Sequence, residues 1–206
     1  MPSMLDEHAP VNRAISLTLP LPEGELRLLQ PRESAELPDD GGVEWAPLVP
    51  YWSVLWRSGV ALGRELSGRR LDGLRVLELG CGMGVPSLVA SRSGAAVLAT
   101  DADDEALDLL ADNASRNGLE VETAQADWAS PEGLLTRAPF DLVLAADVLY
   151  ERGSVAQLLS LLPQLGPRVL LADPGRPGAE AFLAQARRRW AVETQTRGVV
   201  SIHSLG

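Results

Sequence analysis

Three glycines at alternate positions, Gly80, Gly82 and Gly84, follow a short apolar run at Arg75 to Leu79. Such a run lets a backbone turn sharply and approach a ligand with no side chain intervening. Asp101 closes the next apolar run 21 residues after Gly80, where an acidic side chain can accept hydrogen bonds from ribose hydroxyls. The chemistry implied is nucleoside binding, by either a dinucleotide or S-adenosylmethionine. A dinucleotide fingerprint wants its third Gly or Ala at position 85, yet Val85 stands there and the glycine comes one place early. A pyrophosphate also needs a local anion site, whereas Glu78, Asp101, Asp103 and Asp104 surround this turn with no basic residue nearby. Those carboxylates suit the sulfonium and ammonium of S-adenosylmethionine, through charge-assisted hydrogen bonds to its amino group and ribose.

Two further strand ends add candidates. Asp127 and Trp128 offer a carboxylate for the adenine amino group and an indole for its face, although Trp128 also reads as a core aromatic at a helix base. Ala146-Asp147-Val148-Leu149-Tyr150-Glu151 falls at the central carboxyl edge, facing the methyl group of a bound cofactor, and an acid and a phenol three residues apart can reach one amine. The alternative is a helix cap by Asp147 and a packed Tyr150. Gly80 and Gly82 supply backbone, Glu78 supports the turn or the amino group, and Ala146 lies at the same edge. Trp52 and Trp56 lie along the methionine arm or pack the preceding segment onto the sheet. Cys81 reads as a small residue within the cofactor turn, with the nucleophile as the lesser alternative. His8 and His203 are far apart and lack further ligands, so no metal site is expected.

These residues require a scaffold that brings several strand ends together. Short apolar runs at Arg75 to Leu79, Ala96 to Thr100, Glu120 to Ala124, Asp141 to Ala145 and Arg168 to Ala172 read as strands. Helical spacing recurs at Val54 to Leu66, Pro86 to Ser93, Glu105 to Asn117, Ser154 to Leu162 and Ala179 to Trp190. Strand after helix after strand predicts an α/β, Rossmann-like doubly wound sheet, mostly parallel. Val192 to Thr196 and Val199 to Ser204, joined at Arg197-Gly198, read as a closing antiparallel hairpin, making seven strands. Residues 1–48 are rich in Pro and acid, with short strands at Ile15 to Leu19 and Leu26 to Leu29. They read as an arm packing on a domain of residues 49–206.

Length and charge narrow the setting. With 206 residues, 46% of them hydrophobic, the chain is long enough for one buried core. Eighteen basic residues, all arginine, against 28 acidic ones give a net charge of -10, which argues against nucleic acid or anionic lipid and favours cationic partners. The single Cys81 excludes an intramolecular disulfide. The opening residues lack a signal-peptide pattern and no apolar stretch is long enough to span a membrane, so a cytoplasmic protein is expected.

At this point the chain, over residues 50–206, resembles the seven-strand class I methyltransferases. Pro50-Tyr51-Trp52, Trp56, Gly59, Leu62 and Arg64 are similar to a segment of the lysine methyltransferases that modify the β subunit of electron-transfer flavoprotein. Asp147-Val148-Leu149-Tyr150-Glu151 matches their Asp-x-x-Tyr-acid element, Asp173-Pro174-Gly175-Arg176-Pro177 resembles their loop after the fifth strand, and Leu26-Arg27-Leu28 with Pro31-Arg32 resembles their arm. Arg57-Ser58 depart from that group, which tends to have Pro-Gly after the tryptophan, so a different substrate groove is expected. The resemblance implies an S-adenosylmethionine-dependent N-methyltransferase acting on a protein lysine, that of the electron-transfer flavoprotein β subunit included. Small-molecule amine methylation is one alternative, since such enzymes share the core. A noncatalytic nucleotide-binding or docking module that kept the fold is the other, disfavoured by Asp147 and Tyr150 beside an intact glycine turn. Asp147 orients the amine and Tyr150 forms a wall or hydrogen-bond partner in this reading.

Overall fold

The computed structural model describes residues 14–35, 50–151 and 153–206. His8 and the remainder of the expected arm, residues 1–13 and 36–48, lie outside them.

The chain begins with a hairpin of β1 (Ala14–Leu21) and β2 (Gly24–Pro31), followed by a short α1 (Arg32–Ala35). A 3-10 turn at Tyr51–Ser53 precedes α2 (Arg57–Leu66). Strand and helix then alternate through β3 (Arg75–Leu79), α3 (Val85–Arg92), β4 (Ala96–Asp101), α4 (Asp104–Arg116), β5 (Glu122–Gln125) and a short α5 (Glu132–Leu135). The second half runs through β6 (Leu142–Ala146), α6 (Ser154–Leu165), β7 (Val169–Asp173) and α7 (Pro177–Ala186), and ends in β8 (Val192–Arg197) and β9 (Val200–Leu205).

The last seven strands form one sheet in the order β5-β4-β3-β6-β7-β9-β8. The first five run parallel, while β9 is antiparallel to both β7 and β8. Leu77 lies opposite Leu98 on one side and Val143 on the other, which fixes the central register. From β3 the chain winds outward to β5, then returns to place β6 on the other flank of β3. The direction of winding reverses there, and the crevice at the carboxyl ends of β3 and β6 is where such folds bind ligands.

The central strands are largely apolar, with Glu78 of β3 a buried acid among them, because both of their faces are covered. Val76, Leu144 and Leu170 point into the layer containing Leu62 of α2, Leu88 of α3 and Leu110 of α4. Leu77, Val143 and Leu171 point to the opposite layer, with Leu158 of α6 and Phe182 of α7. A one-residue slip of any of these strands would exchange the two sets.

The β1–β2 hairpin docks through an unusual edge. Asn117 Oδ1 accepts the Arg27 amide at 2.9 Å while its Nδ2 donates to the Arg27 carbonyl at 2.7 Å. One turn earlier on α4, Asn113 does the same to Leu29, at 2.6 and 3.3 Å. Two side-chain amides thus satisfy the backbone of β2 as a neighbouring strand would, and Leu26 and Leu28 enter the core beside them. Further along, Gln30 Nε2 and Ser34 Oγ both donate to the Ser53 carbonyl, at 3.2 and 2.8 Å, tying the arm to the 3-10 turn.

Several boundaries differ from the sequence reading, among them β5, which runs Glu122–Gln125, and α7, which ends at Ala186; two others have a visible cause. The helix expected from Val54 starts at Arg57, because Val54 and Trp56 are extended and Trp56 Nε1 donates back to the Tyr51 carbonyl at 2.9 Å. The closing hairpin turns at Gly198-Val199, one residue later than expected, because Arg197 still pairs with Val200. Gly198 takes the positive φ of 64° at the first position of that two-residue turn. No helix among the described residues is long and apolar enough to cross a membrane.

Candidate active site

The glycine turn after β3 is built by left-handed backbone. Gly80 and Gly82 have φ of 63° and 48°, a region that costs an ordinary L-residue about 1–2 kcal/mol. A Cβ at Gly82 would come within 3.0 Å of the Trp52 carbonyl, and one at Gly80 within 3.4 Å of the Trp128 ring. Asp101 holds the turn from the next strand: its Oδ2 accepts the Gly82 amide at 2.9 Å and its Oδ1 the Asp103 amide at 3.2 Å. Partial burial pushes the Asp101 carboxyl above its usual range, against the pull of those amides.

Glu78 lies beneath the turn, fully buried, where its Oε2 accepts the Ser87 amide at 2.9 Å and the Ser87 hydroxyl. It therefore serves the first turn of α3, whose own cap, Gly84, has no side chain. Burial raises its pKa to about 8, with Asp101 adding to the effect. The Cys81 thiol is buried between these acids and is pushed well above its ordinary value, first by burial and then by Glu78 and Asp101. A nucleophilic thiolate needs the opposite environment.

The part of the cavity around Asp147 and Tyr150 is made of side chains from separate segments. Asp147 follows β6 with φ 61°, the non-glycine residue in left-handed backbone among the described residues, and is 7% exposed. Its amide donates to the Ala172 carbonyl at 2.9 Å. Its Oδ1 accepts Arg176 Nε at 2.7 Å, and its Oδ2 accepts Ser58 Oγ from α2 at 3.1 Å. Arg176 in turn lies over the Trp56 ring, 5.5 Å from its centroid. Asp173 fixes the loop that carries Arg176, its Oδ1 accepting the amides of Gly175 and Arg176, both at 2.7 Å. Tyr150, 42% exposed, packs at 5.3 Å on Tyr51, which is 6.3 Å from Trp56. The Tyr150 phenol is raised by burial and then by Glu151 and Asp101.

One cavity of about 430 Å³ is lined by the candidate site residues Trp52, Trp56, Glu78, Gly80, Cys81, Gly82, Asp101, Asp127, Trp128, Ala146, Asp147 and Tyr150, and by Asp103, whereas Asp104, also read beside the turn, is not in the lining. Asp127 is exposed and its Oδ1 accepts the Ala129 amide at 2.8 Å, while Trp128 is half-buried against Gly80. Sequence reasoning assigned no site role to Ser58, Asp173, Arg176 or Tyr51. The signals were present in the Trp-Arg-Ser departure and the Asp-Pro-Gly-Arg loop, but nothing in either indicates that they meet at Asp147.

The residues present fit S-adenosylmethionine. Six acidic side chains line the cavity and no described basic residue does, and the ionised members of that set attract a cation-bearing ligand and repel pyrophosphate. The Trp52 indole N–H is buried there with no partner, and such a donor calls for an acceptor. The left-handed glycines leave the turn open to close approach. Glycine amides, Asp101, Asp127 and Trp128 would hold the adenosyl half, with Trp52 and Trp56 beside the methionine half.

Comparison with known proteins agrees. A family model described as lysine methyltransferase matches residues 52–179. The chain is 35% identical over 86% of its length to the electron transfer flavoprotein beta subunit lysine methyltransferase of Rattus norvegicus, covering 69% of that protein. It is 33% identical over 68% of its length to the protein N-lysine methyltransferase METTL21A of Danio rerio, again covering 69%. Among solved structures, a T. Thermophilus 16S rRNA N2 G1207 methyltransferase in complex with AdoMet and guanosine superimposes with a TM-score of 0.70 at 17% identity. That alignment covers 94% of this chain and 50% of the other, and carries the fold alone.

Proposed function

The chain belongs to the lysine methyltransferase family, an S-adenosylmethionine-dependent class, and from that premise we propose that it methylates the side-chain amine of a lysine in a partner protein. A β subunit of electron-transfer flavoprotein is the first candidate acceptor. The observation that carries this reading is the convergence of Asp147, Tyr150 and the glycine turn on one acidic cavity. Residues 1–48 as an arm and 49–206 as the transferase domain belong to the same proposal, supported by the docking of β2 on α4 through Asn113 and Asn117.

S-adenosylmethionine supplies an activated methyl group on a sulfonium, transferable to an amine in a single displacement. The chain's own residues must therefore deliver a neutral amine, aligned and shielded from water. A free lysine holds its proton to a pKa of about 10.4. Tyr51, Trp56 and Tyr150 form an apolar wall that strips water from the incoming stem and disfavours the charged form. Asp147 sits at the carboxyl edge where its oxygens orient the amine. Tyr150, its phenol raised by burial, remains protonated near neutral pH and so acts as a hydrogen-bonding wall rather than a base.

Incubation with radiolabelled methyl donor and a cell lysate tests the reading. The sequence contains no lysine, so label recovered as methyl-lysine comes from an acceptor protein. Label in small molecules alone would overturn the protein substrate. Asp147→Asn should lower kcat about 100-fold with cofactor affinity unchanged by calorimetry; undiminished turnover would remove Asp147 from the acceptor site.

A further inference from the structure

Neither oxygen of the Asp147 carboxylate is presented to the cavity unengaged. Arg176 Nε and Ser58 Oγ reach them from two other segments, and the Arg176–Asp147 ion pair is nearly closed to solvent, with side chains 9% and 6% exposed. The guanidinium is itself held on two sides. Asp173 Oδ1 clamps the loop that carries it by accepting the Gly175 and Arg176 amides, and Trp56 offers its ring face. Two long-range segments thus converge to fix one charge beside the group that receives the amine.

We propose that Arg176 is a positioning residue that compensates Asp147, so that an acceptor lysine meets an ion pair in place of an isolated carboxylate and releases its proton more readily. This rests on the lysine reading above. An uncompensated carboxylate beside an ammonium favours the charged form, which cannot attack a methyl group. A guanidinium behind that carboxylate cancels most of the effect while leaving its oxygens to orient the amine. The acid–base balance at the acceptor position also includes Asp173 behind Arg176, Glu151 and Tyr150 in the loop after β6, Asp101 at the end of β4, and Tyr51 on the 3-10 turn. Ser58 of α2, with Ser154 and Gln157 of α6, contributes polarity without charge. Apart from Arg176, the charged members of this set are acidic, so Arg176 is the cation in direct contact with Asp147 that the substitution removes.

The test is the pH dependence of methyl transfer into lysine, measured with bulk lysate protein as acceptor and methyl-lysine recovered after hydrolysis. In Arg176→Gln the rising limb of kcat/KM should move by about one pH unit toward alkali. Arg176→Lys keeps the charge and should leave the limb in place while lowering kcat. Asp147→Asn leaves Arg176 uncompensated and should move the residual limb toward acid, the opposite direction. That variant keeps the idea falsifiable if Arg176→Gln does not fold, which thermal melting and cofactor titration will report. Limbs that stay put in Arg176→Gln and Asp147→Asn, with only kcat reduced, reduce Arg176 to a structural tie and overturn the proposal. A wild-type enzyme that places no label in lysine removes the functional reading and this inference together, an outcome distinct from an unmoved limb.

Discussion

The two walls of the cavity are made in different ways. The cofactor wall is mostly backbone, a turn of Gly80, Gly82 and Gly84 and the two amides gripped by Asp101, drawn from one β-α-β unit. The wall proposed for the acceptor is mostly side chain, with Tyr51 and Asp147 in the lining and Ser58 and Arg176 engaging Asp147 from outside it, four separate places in the chain. Backbone geometry serves a ligand that does not change. Side chains from converging loops can be replaced one at a time, which is what selection among acceptors requires. Substitutions on the first wall should therefore cost stability or cofactor affinity, and those on the second should alter turnover while the fold stands.

The largest effect expected is at Glu78. Its pKa in the fold is about 8, above its ordinary 4.5, so the fold accommodates the protonated acid better than the ionised one. Its stabilising contribution is full below pH 4.5 and is lost as pH rises through 8. At about 1.4 kcal/mol per unit, the loss by pH 8 is on the order of 4 kcal/mol. Glu78→Gln can still accept from Ser87 and cannot ionise. In cofactor-free protein its stability should therefore fall less than the wild type's between pH 5 and pH 8, followed by urea denaturation. Parallel curves would show that Glu78 titrates as an ordinary carboxylate.

Gly84→Ala comes next. Gly84 has φ 68°, and a Cβ there would stand 2.2 Å from Leu110 Cδ1. Left-handed strain and overpacking together should cost about 2–4 kcal/mol, read from the shift of the denaturation midpoint. Since Leu110 belongs to α4, the same change should loosen the Asn113 and Asn117 clamp on β2. Asp101→Ala should weaken cofactor binding about 10- to 100-fold by calorimetry, the range of charge-assisted hydrogen bonds. Undiminished affinity would make Asp101 a brace for the turn and no more.

The difference between the walls also explains what could be read from the sequence. β3, β4 and the turn between them show through because their signals are contiguous: an apolar run, alternate glycines and an acid at the next strand end. The five parallel strands and the hairpin follow from period and punctuation in the same way. The Asp147 network does not show through, because Ser58 lies 89 residues before Asp147 and Arg176 lies 29 after it. Serine and arginine are ordinary surface residues until a tertiary fold buries them together. Boundaries such as Val54 to Trp56 were lost for a related reason. Helical spacing continues there, but the carbonyls of Tyr51 and Ser53 are committed to Trp56, Gln30 and Ser34, and those partners appear only after folding.

The smallest effect expected lies on the acceptor wall. Tyr150→Phe keeps the ring against Tyr51 and removes only a hydroxyl on a residue 42% exposed. Because the phenol stays protonated near neutral pH, its loss removes a hydrogen bond to the amine and leaves any proton transfer untouched. A neutral hydrogen bond contributes about 0.5–1.5 kcal/mol, so kcat should fall only a few-fold, with melting temperature and cofactor affinity unchanged. Tyr150→Ala removes the ring as well and should raise KM for the protein acceptor, since the apolar wall along the lysine stem is then breached. If both variants instead lost cofactor affinity equally, Tyr150 would belong to the cofactor wall and the division between backbone-built and side-chain-built surfaces would fail at its boundary.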